Sequence, residues 1–96
     1  MGLATIAPAA FAQEEGRKAK NKVVPVYPEL ARRMNVVGAV KIQVTITPAG
    51  MVKTTKVIGG HPLLIDSALD ALKKWRFESA GDETTQIVVF NFNAAQ

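Results

Sequence analysis

Residues 38–58 read GAVKIQVTITPAGMVKTTKVI, and this stretch decides the fold. Its first half alternates apolar with polar residues, which is the pattern of a strand with one buried and one solvated face. The apolar set is Val40, Ile42, Val44 and Ile46. Pro48 fixes φ at the start of the following turn and Gly50 tolerates positive φ at its end, so we expect the chain to reverse as a hairpin.

The return strand of this hairpin is predicted at residues 51–58, where the alternation is weaker. We expect Val52 and Ile58 to face inward, with Thr54 as a further candidate for that face, and Lys53 and Thr55 to face outward. Lysines on an edge strand discourage unwanted pairing with other chains. The return strand is therefore predicted to lie at an edge of the sheet.

Two helices are predicted to flank the hairpin. Pro28 suits the first turn of a short helix that runs to about Met34, and Asn35 is expected to end it in a left-handed cap. A longer helix begins at His61 and Pro62, after a pair of glycines. Its apolar residues recur at helical spacing and comprise Ile65, Ala68, Leu69, Leu72 and Trp75.

The last predicted strand is residues 84–92, in which apolar residues occupy both faces. Val88, Phe90 and Phe92 share one face, and Ile87, Val89 and Asn91 share the other. Together with the hairpin and the two helices, this last strand predicts an α+β fold. The fold would be a three-stranded antiparallel sheet with a short N-terminal helix and one longer helix packed on one face. The strand is either an edge whose free N–H and C=O groups can template an added strand, or an interior strand covered on both faces.

Length and composition indicate one small domain whose function lies on a surface or an edge. The chain has 96 residues, 48% of them hydrophobic, and no cysteine. A core of this size leaves little room for an enclosed cavity, and the lack of cysteine excludes disulfides and thiolate chemistry. The net charge of +4 is spread over several elements, with no aromatic stacking platform, so we expect no nucleic acid partner.

The chain divides into three predicted segments. Residues 1–12 are uncharged and end in Ala-Phe-Ala, which fits the small-x-small rule of signal-peptide cleavage. They are predicted to be the remnant of a secretory signal peptide, and an unstructured alanine-rich terminus is the alternative. This run is too short to span a bilayer, so no transmembrane segment is expected. Residues 13–22 are predicted to form a polar basic linker, either simply solvated or attracted to an anionic envelope surface. Residues 23–94 form the predicted domain.

No combination of residues predicts catalysis, a metal or a cofactor. His61 is the only histidine and suits a helix cap. Asp66 and Asp70 lie one turn apart on a solvated helix face and are interpreted as surface charge. Trp75 closes the apolar stripe and is predicted to be core. Arg76 is left with three interpretations: it complements the helix C-terminus, pairs with a nearby acid, or contacts a partner.

Taken in order, several segments resemble the TonB C-terminal domain family, the periplasmic part of an energy transducer of Gram-negative bacteria. The similar segments are Tyr27-Pro28-Glu29-Leu30-Ala31-Arg32, the strand 38–46, the turn Thr47-Pro48-Ala49-Gly50, Trp75-Arg76-Phe77-Glu78 and the strand 87–92. They cover about two thirds of the chain. The family's glutamine just before the tyrosine–proline pair is replaced, with Val24 at the matching place.

The resemblance implies a non-enzymatic, protein-binding module of the periplasm, linked to energy-dependent transport. Its partner would be the TonB box, an extended segment of an outer-membrane transporter (a TonB-dependent receptor), added as a strand. The implied partner-binding residues are Gln86, Ile87, Val88, Val89, Phe90 and Asn91. The alternatives are a cell-envelope protein-binding module like the C-terminal domain of TolA, or a strand-paired homodimer.

Overall fold

The computed structural model describes residues 10–14 and 16–93. The elements in chain order are β1 (Ala10–Glu14), β2 (Ala19–Asn21), α1 (Glu29–Arg33), β3 (Gly38–Ile46), β4 (Val52–Gly59), α2 (Pro62–Lys73), β5 (Arg76–Phe77) and β6 (Thr84–Phe92). Most of the predicted signal-peptide remnant, residues 1–9, lies outside the described residues. The processing of this segment stays a prediction.

The main sheet is antiparallel, with strand order β1-β6-β3-β4. Its β6, β3 and β4 strands are the predicted three-stranded sheet, so the α+β class is confirmed. Two features go beyond the prediction: β1 adds a fourth strand, and β2 pairs with β5 in a separate two-stranded sheet. The strands β1 and β2 come from residues that precede the predicted domain, whereas β5 lies within it.

The core lies between the helices and one face of the sheet. The predicted inward sets of β3 and β6 are fully buried, and so is Trp75. In α2 the buried residues are Leu64, Ala68, Ala71 and Leu72, whereas Ile65 and Leu69 are only half-buried. The Trp75 ring lies edge-on to Phe90, with centroids 5.5 Å apart. The predicted core role of Trp75 is therefore confirmed.

The predicted helix boundaries correspond to observed backbone features. Asn35, after α1, has a φ of 57°, the left-handed value expected of a cap. At the start of α2 the His61 Nδ1 atom accepts a hydrogen bond from the Leu63 N–H at 3.0 Å, and Pro62 is the first helical residue. Within residues 10–14 and 16–93, neither helix has the length and apolar character needed to cross a membrane.

The hairpin turn between β3 and β4 packs against β5. Gly50 has a φ of 100°, and its carbonyl accepts a hydrogen bond from the Phe77 N–H at 2.7 Å. A Cβ atom on Gly50 would lie 1.9 Å from the Phe77 carbonyl oxygen. Glycine is needed here for both its backbone conformation and its lack of a side chain.

The predicted facing of β4 is wrong at three positions, because the strand contains two bulges. Its register with β3 skips Lys53 and Ile58, which are the extra residues. Each extra residue reverses the alternation that follows it. Thr55 consequently pairs with the buried Val44 and is half-buried, whereas Thr54 is exposed and Ile58 is 51% exposed.

Candidate partner-binding edge

All six residues predicted to bind a partner, Gln86 to Asn91, lie in β6. One edge of β6 pairs with β3 along its whole length. Val88 and Phe90 point into the core, whereas Ile87, Val89 and Asn91 are half-buried on the other face. The pairing with β3 holds the backbone of Ile87 and Val89 in place, and their apolar side chains are partly accessible.

The outer edge of β6 is paired with β1. This pairing is antiparallel and runs from Ala10 opposite Phe92 to Glu14 opposite Val88. In this structure β6 is thus hydrogen-bonded on both sides, while one of its faces remains partly open. The observed strand differs from both alternatives left by the sequence, since it is neither a free edge nor an interior strand covered on both faces.

A tight connection joins β1 to the body of the domain. Gly16 has a φ of 104°, and a Cβ atom there would lie 2.8 Å from Oε1 of Gln86. The next residue, Arg17, forms two hydrogen bonds with the same side chain. The Arg17 N–H donates to Oε1 of Gln86 at 2.9 Å, and Nε2 of Gln86 donates to the Arg17 carbonyl at 3.1 Å. The side chain of Gln86 therefore satisfies both backbone groups of Arg17.

The guanidinium of Arg17 reaches three other parts of the fold. It donates to the carbonyls of Thr47 at 2.6 Å, Glu78 at 3.2 Å and Asp82 at 2.9 Å. It also donates to the Thr84 hydroxyl at 2.9 Å. These groups belong to the β3–β4 turn, the segment after β5 and the start of β6. Hydrogen bonds from a charged donor are stronger than neutral ones, so Arg17 holds its segment firmly to the domain.

The sequence did not single out Arg17, which lies in the predicted basic linker. Four basic residues occur within residues 17–22, and nothing in that pattern separates one of them from the others. The only local hint is the preceding Gly16, a residue type that permits a turn with close backbone contact. The binding partners of Arg17 are 30 to 69 residues away along the chain. Periodicity cannot reveal contacts of that kind.

The segment before α1 is hydrogen-bonded to Ser67 of α2 and to Trp75, and it exposes apolar side chains. The Val23 carbonyl accepts a hydrogen bond from the Trp75 indole N–H at 3.0 Å. Val24 and Val26 are 61% and 77% exposed. On α1, Leu30 and Met34 are also exposed, one helical turn apart. The position where the family has a glutamine is thus an exposed valine.

The other candidate residues are structural or solvated. His61 caps α2, as predicted. Asp66 and Asp70 are exposed, and no cluster of three or more potential metal ligands occurs among the described residues. The exposed Arg76 donates to the Trp75 carbonyl at 3.0 Å. That carbonyl lies beyond the C-cap of α2, so the bond does not decide between the three interpretations.

Comparisons with known proteins show which family this domain resembles. The family model described as "Gram-negative bacterial TonB protein C-terminal" matches residues 23–94. Protein TonB of Klebsiella pneumoniae is 22% identical over 85 residues, which cover 84% of this chain. The chain spans only 35% of the length of that relative.

A solved structure provides a further match. The solution NMR structure of the Pseudomonas aeruginosa TonB C-terminal domain superposes with a TM-score of 0.66 at 28% sequence identity. The match covers 82% of this chain and 87% of the other. The matched family segment contains α1, β3, β4, α2, β5 and β6, which together enclose the core described above. The chain therefore belongs to the TonB C-terminal domain family.

Proposed function

We propose that this domain binds an extended segment of another protein, adding it as a strand at the outer edge of β6. The partner is the TonB box of an outer-membrane transporter, and binding serves energy-dependent transport. The domain acts in the periplasm, after export directed by a signal peptide. The domain binds its partner and catalyses no reaction, as expected of a member of the TonB C-terminal domain family.

The observation that carries this proposal is the pairing of β1 with β6. Five residues of extended chain lie antiparallel along the outer edge, from Val88 to Phe92. The backbone of β6 at this edge therefore has the geometry needed to receive a strand. In strand addition, main-chain hydrogen bonds supply affinity and alternate side chains supply specificity. Ile87 and Val89, half-buried on the open face, are the side chains available for that second role.

The test is a backbone amide NMR titration of the chain with a synthetic TonB-box peptide. We expect the largest shifts from Gln86 to Asn91, together with small changes in the exposed strand β4. Two N-methylated versions of the peptide serve as matched controls, each methylated at alternate residues. In an antiparallel or parallel pair, only alternate residues direct their N–H groups to a given neighbour. One methylated peptide should lose binding and the other should retain it.

Three results would count against the proposal. A lack of shifts at millimolar peptide would exclude the transporter segment as the partner. Equal binding of both N-methylated peptides would exclude strand addition as the mode. Concentration-dependent dimerisation without peptide, measured by sedimentation, would favour the strand-paired homodimer, and capture of a different envelope protein at β6 would favour a TolA-like role.

A further inference from the structure

We propose that one surface of this domain binds the face of an anionic phospholipid bilayer. This lipid-binding surface consists of Lys20, Lys22, Val24, Val26, Lys74 and Arg76. All six residues follow Ala12, so cleavage at that position leaves the surface intact. None of them belongs to β6, so lipid binding does not depend on strand addition.

The segment that leads from β2 to α1 places lysines and valines side by side on its exposed side. Its exposed residues include Lys20 and Lys22 in the first half, and Val24 and Val26 in the second half. The residues between them are half-buried or buried, apart from Asn21 beside the bulge of β2. The same stretch of chain therefore presents positive charge and apolar side chains to the solvent.

Strand β5 adds a cation beside these lysines. Arg76 pairs with Asn21, which lies between Lys20 and Lys22 in the chain. The Arg76 side chain is exposed. Three cations therefore lie close together on the two-stranded sheet.

Helix α2 adds a cation beside the valines. Lys74, the C-cap of α2, lines a groove together with residues 23–26. Asp70 lines the same groove one helical turn earlier, but the two side chains form no ion pair in the described structure. Lys74 consequently joins the charged and the apolar parts of the lipid-binding surface.

The positive charge of this surface is available to an anionic partner. Lys20, Lys74 and Arg76 are exposed, and none of them forms an ion pair with another described residue. Lys22 is also exposed, and its Nζ atom lies 6.0 Å from the centroid of the Trp75 ring. The contact with a buried ring fixes the position of this lysine at the surface.

The exposed valines favour a bilayer over other anionic partners. Val24 and Val26 are 61% and 77% exposed, next to the cations. A purely ionic polymer would neutralise the cations and leave both valines in water. The interface of a bilayer offers phosphate groups and hydrocarbon together, so cations bind the headgroups while apolar side chains enter the acyl boundary. Both parts of the surface then contribute to binding.

The first experiment measures partition of the protein into sedimented vesicles. The protein is purified from the periplasm after expression with export, so that any contribution of its N-terminal residues is the same in every variant. The vesicles contain phosphatidylglycerol and phosphatidylethanolamine, and vesicles of phosphatidylcholine serve as the neutral reference. The two test variants are Lys20→Glu/Lys74→Glu and Val24→Ser/Val26→Ser.

Two control variants carry the same chemical changes at exposed positions on or next to β3 and β4. They are Lys41→Glu/Lys56→Glu and Met51→Ser/Ile58→Ser. The charge controls alter the net charge by the same amount as the test variant. At about 0.15 M salt, charges away from the bilayer are screened within about 8 Å, so position decides the effect.

The test variants should bind the anionic vesicles much less well than the controls. Reversal of two cations should weaken partition by about 25-fold or more, and the serine pair should weaken it by about tenfold. Each control should change partition by less than about threefold. Absence of partition into anionic vesicles, equal partition into phosphatidylcholine, or equal losses in the test and control variants would overturn the proposal.

A fluorescent label tests whether the valines enter the bilayer. The chain has no cysteine, so Val26→Cys and Ile58→Cys can each be labelled at one position with an environment-sensitive dye. Anionic vesicles should shift the emission of the dye at position 26 to the blue and leave that at position 58 unchanged. Vesicle binding without a shift at position 26 would overturn the proposal. Polyglutamate that binds as tightly as the vesicles would assign the surface to an acidic protein and would also overturn it.

Discussion

Gly50→Ala should be the most destabilising single-methyl change in the hairpin. At a φ of 100°, alanine is strained by about 1–3 kcal/mol. Its Cβ atom would lie 1.9 Å from the Phe77 carbonyl oxygen, which is closer than two non-bonded atoms can approach. The turn and β5 must therefore move apart. That movement breaks the 2.7 Å bond from the Phe77 N–H to the Gly50 carbonyl and disturbs the buried Phe77 ring.

The strain, the lost hydrogen bond and the loosened ring together predict destabilisation of about 3–5 kcal/mol. Domains of this size are stable by about 5–15 kcal/mol, so the loss should be plain in urea denaturation. The single tryptophan, Trp75, is fully buried and reports unfolding by its fluorescence. The urea concentration at the midpoint of the transition should fall strongly. The slope of the free energy of unfolding against urea concentration should stay unchanged.

Gly81→Ala is the matched control. A Cβ atom at Gly81 would have no neighbour within 4 Å, so its stability should change by no more than about 0.5 kcal/mol. The free energies of unfolding of the two alanine variants are the quantities to compare. If they differed by less than about 1 kcal/mol, the close packing of the turn against β5 would not stabilise the domain. The argument from Gly50 would then be refuted.

Two further predictions concern the N-terminal half. Tyr27→Phe removes a hydroxyl that donates to the Val36 carbonyl but keeps the ring that packs edge-on to Phe92. It should lower the free energy of unfolding by about 0.5–1.5 kcal/mol in the same urea assay, and an unchanged value would show that the bond adds no net stability. Expression of the chain with export should give a periplasmic protein that begins at Gln13, as measured by intact-protein mass spectrometry. A periplasmic product that retains residues 1–12 would contradict the predicted cleavage.

Local patterns in the sequence were sufficient to predict most of the central fold. The strict alternation in β3, the proline and glycine of the turn, and the helical spacing before Trp75 each depend on near neighbours in the chain. These signals identified β3, α2 and β6 and the residues that the two strands bury. In α2 the prediction was only partly right, because Leu64 and Ala71 are buried and Ile65 and Leu69 are half-buried. The β4 strand was placed correctly but its facing was wrong at three positions, because a bulge adds a residue without any change in composition.

The candidate site depends on contacts that no local pattern encodes. Ala10 and Phe92, the paired ends of β1 and β6, are near opposite ends of the chain. Arg17 looks like any residue of a basic linker until its distant carbonyl partners are brought together by folding. The recognition strand itself was found by its apolar pattern and by the family resemblance. The strand that covers it was not predicted.

The outer edge of β4 bears on the number of molecules in a complex. Among the described residues this strand pairs only with β3 of the main sheet; it contains two bulges, and it carries the exposed lysines Lys53 and Lys56. Bulges and lysines make this edge a poor template for another strand. The outer side of β6 is where we propose that a strand is added. Two copies of the domain joined through β6 would leave only their two β4 edges outside, so such assemblies should stop at closed pairs and should not extend into filaments.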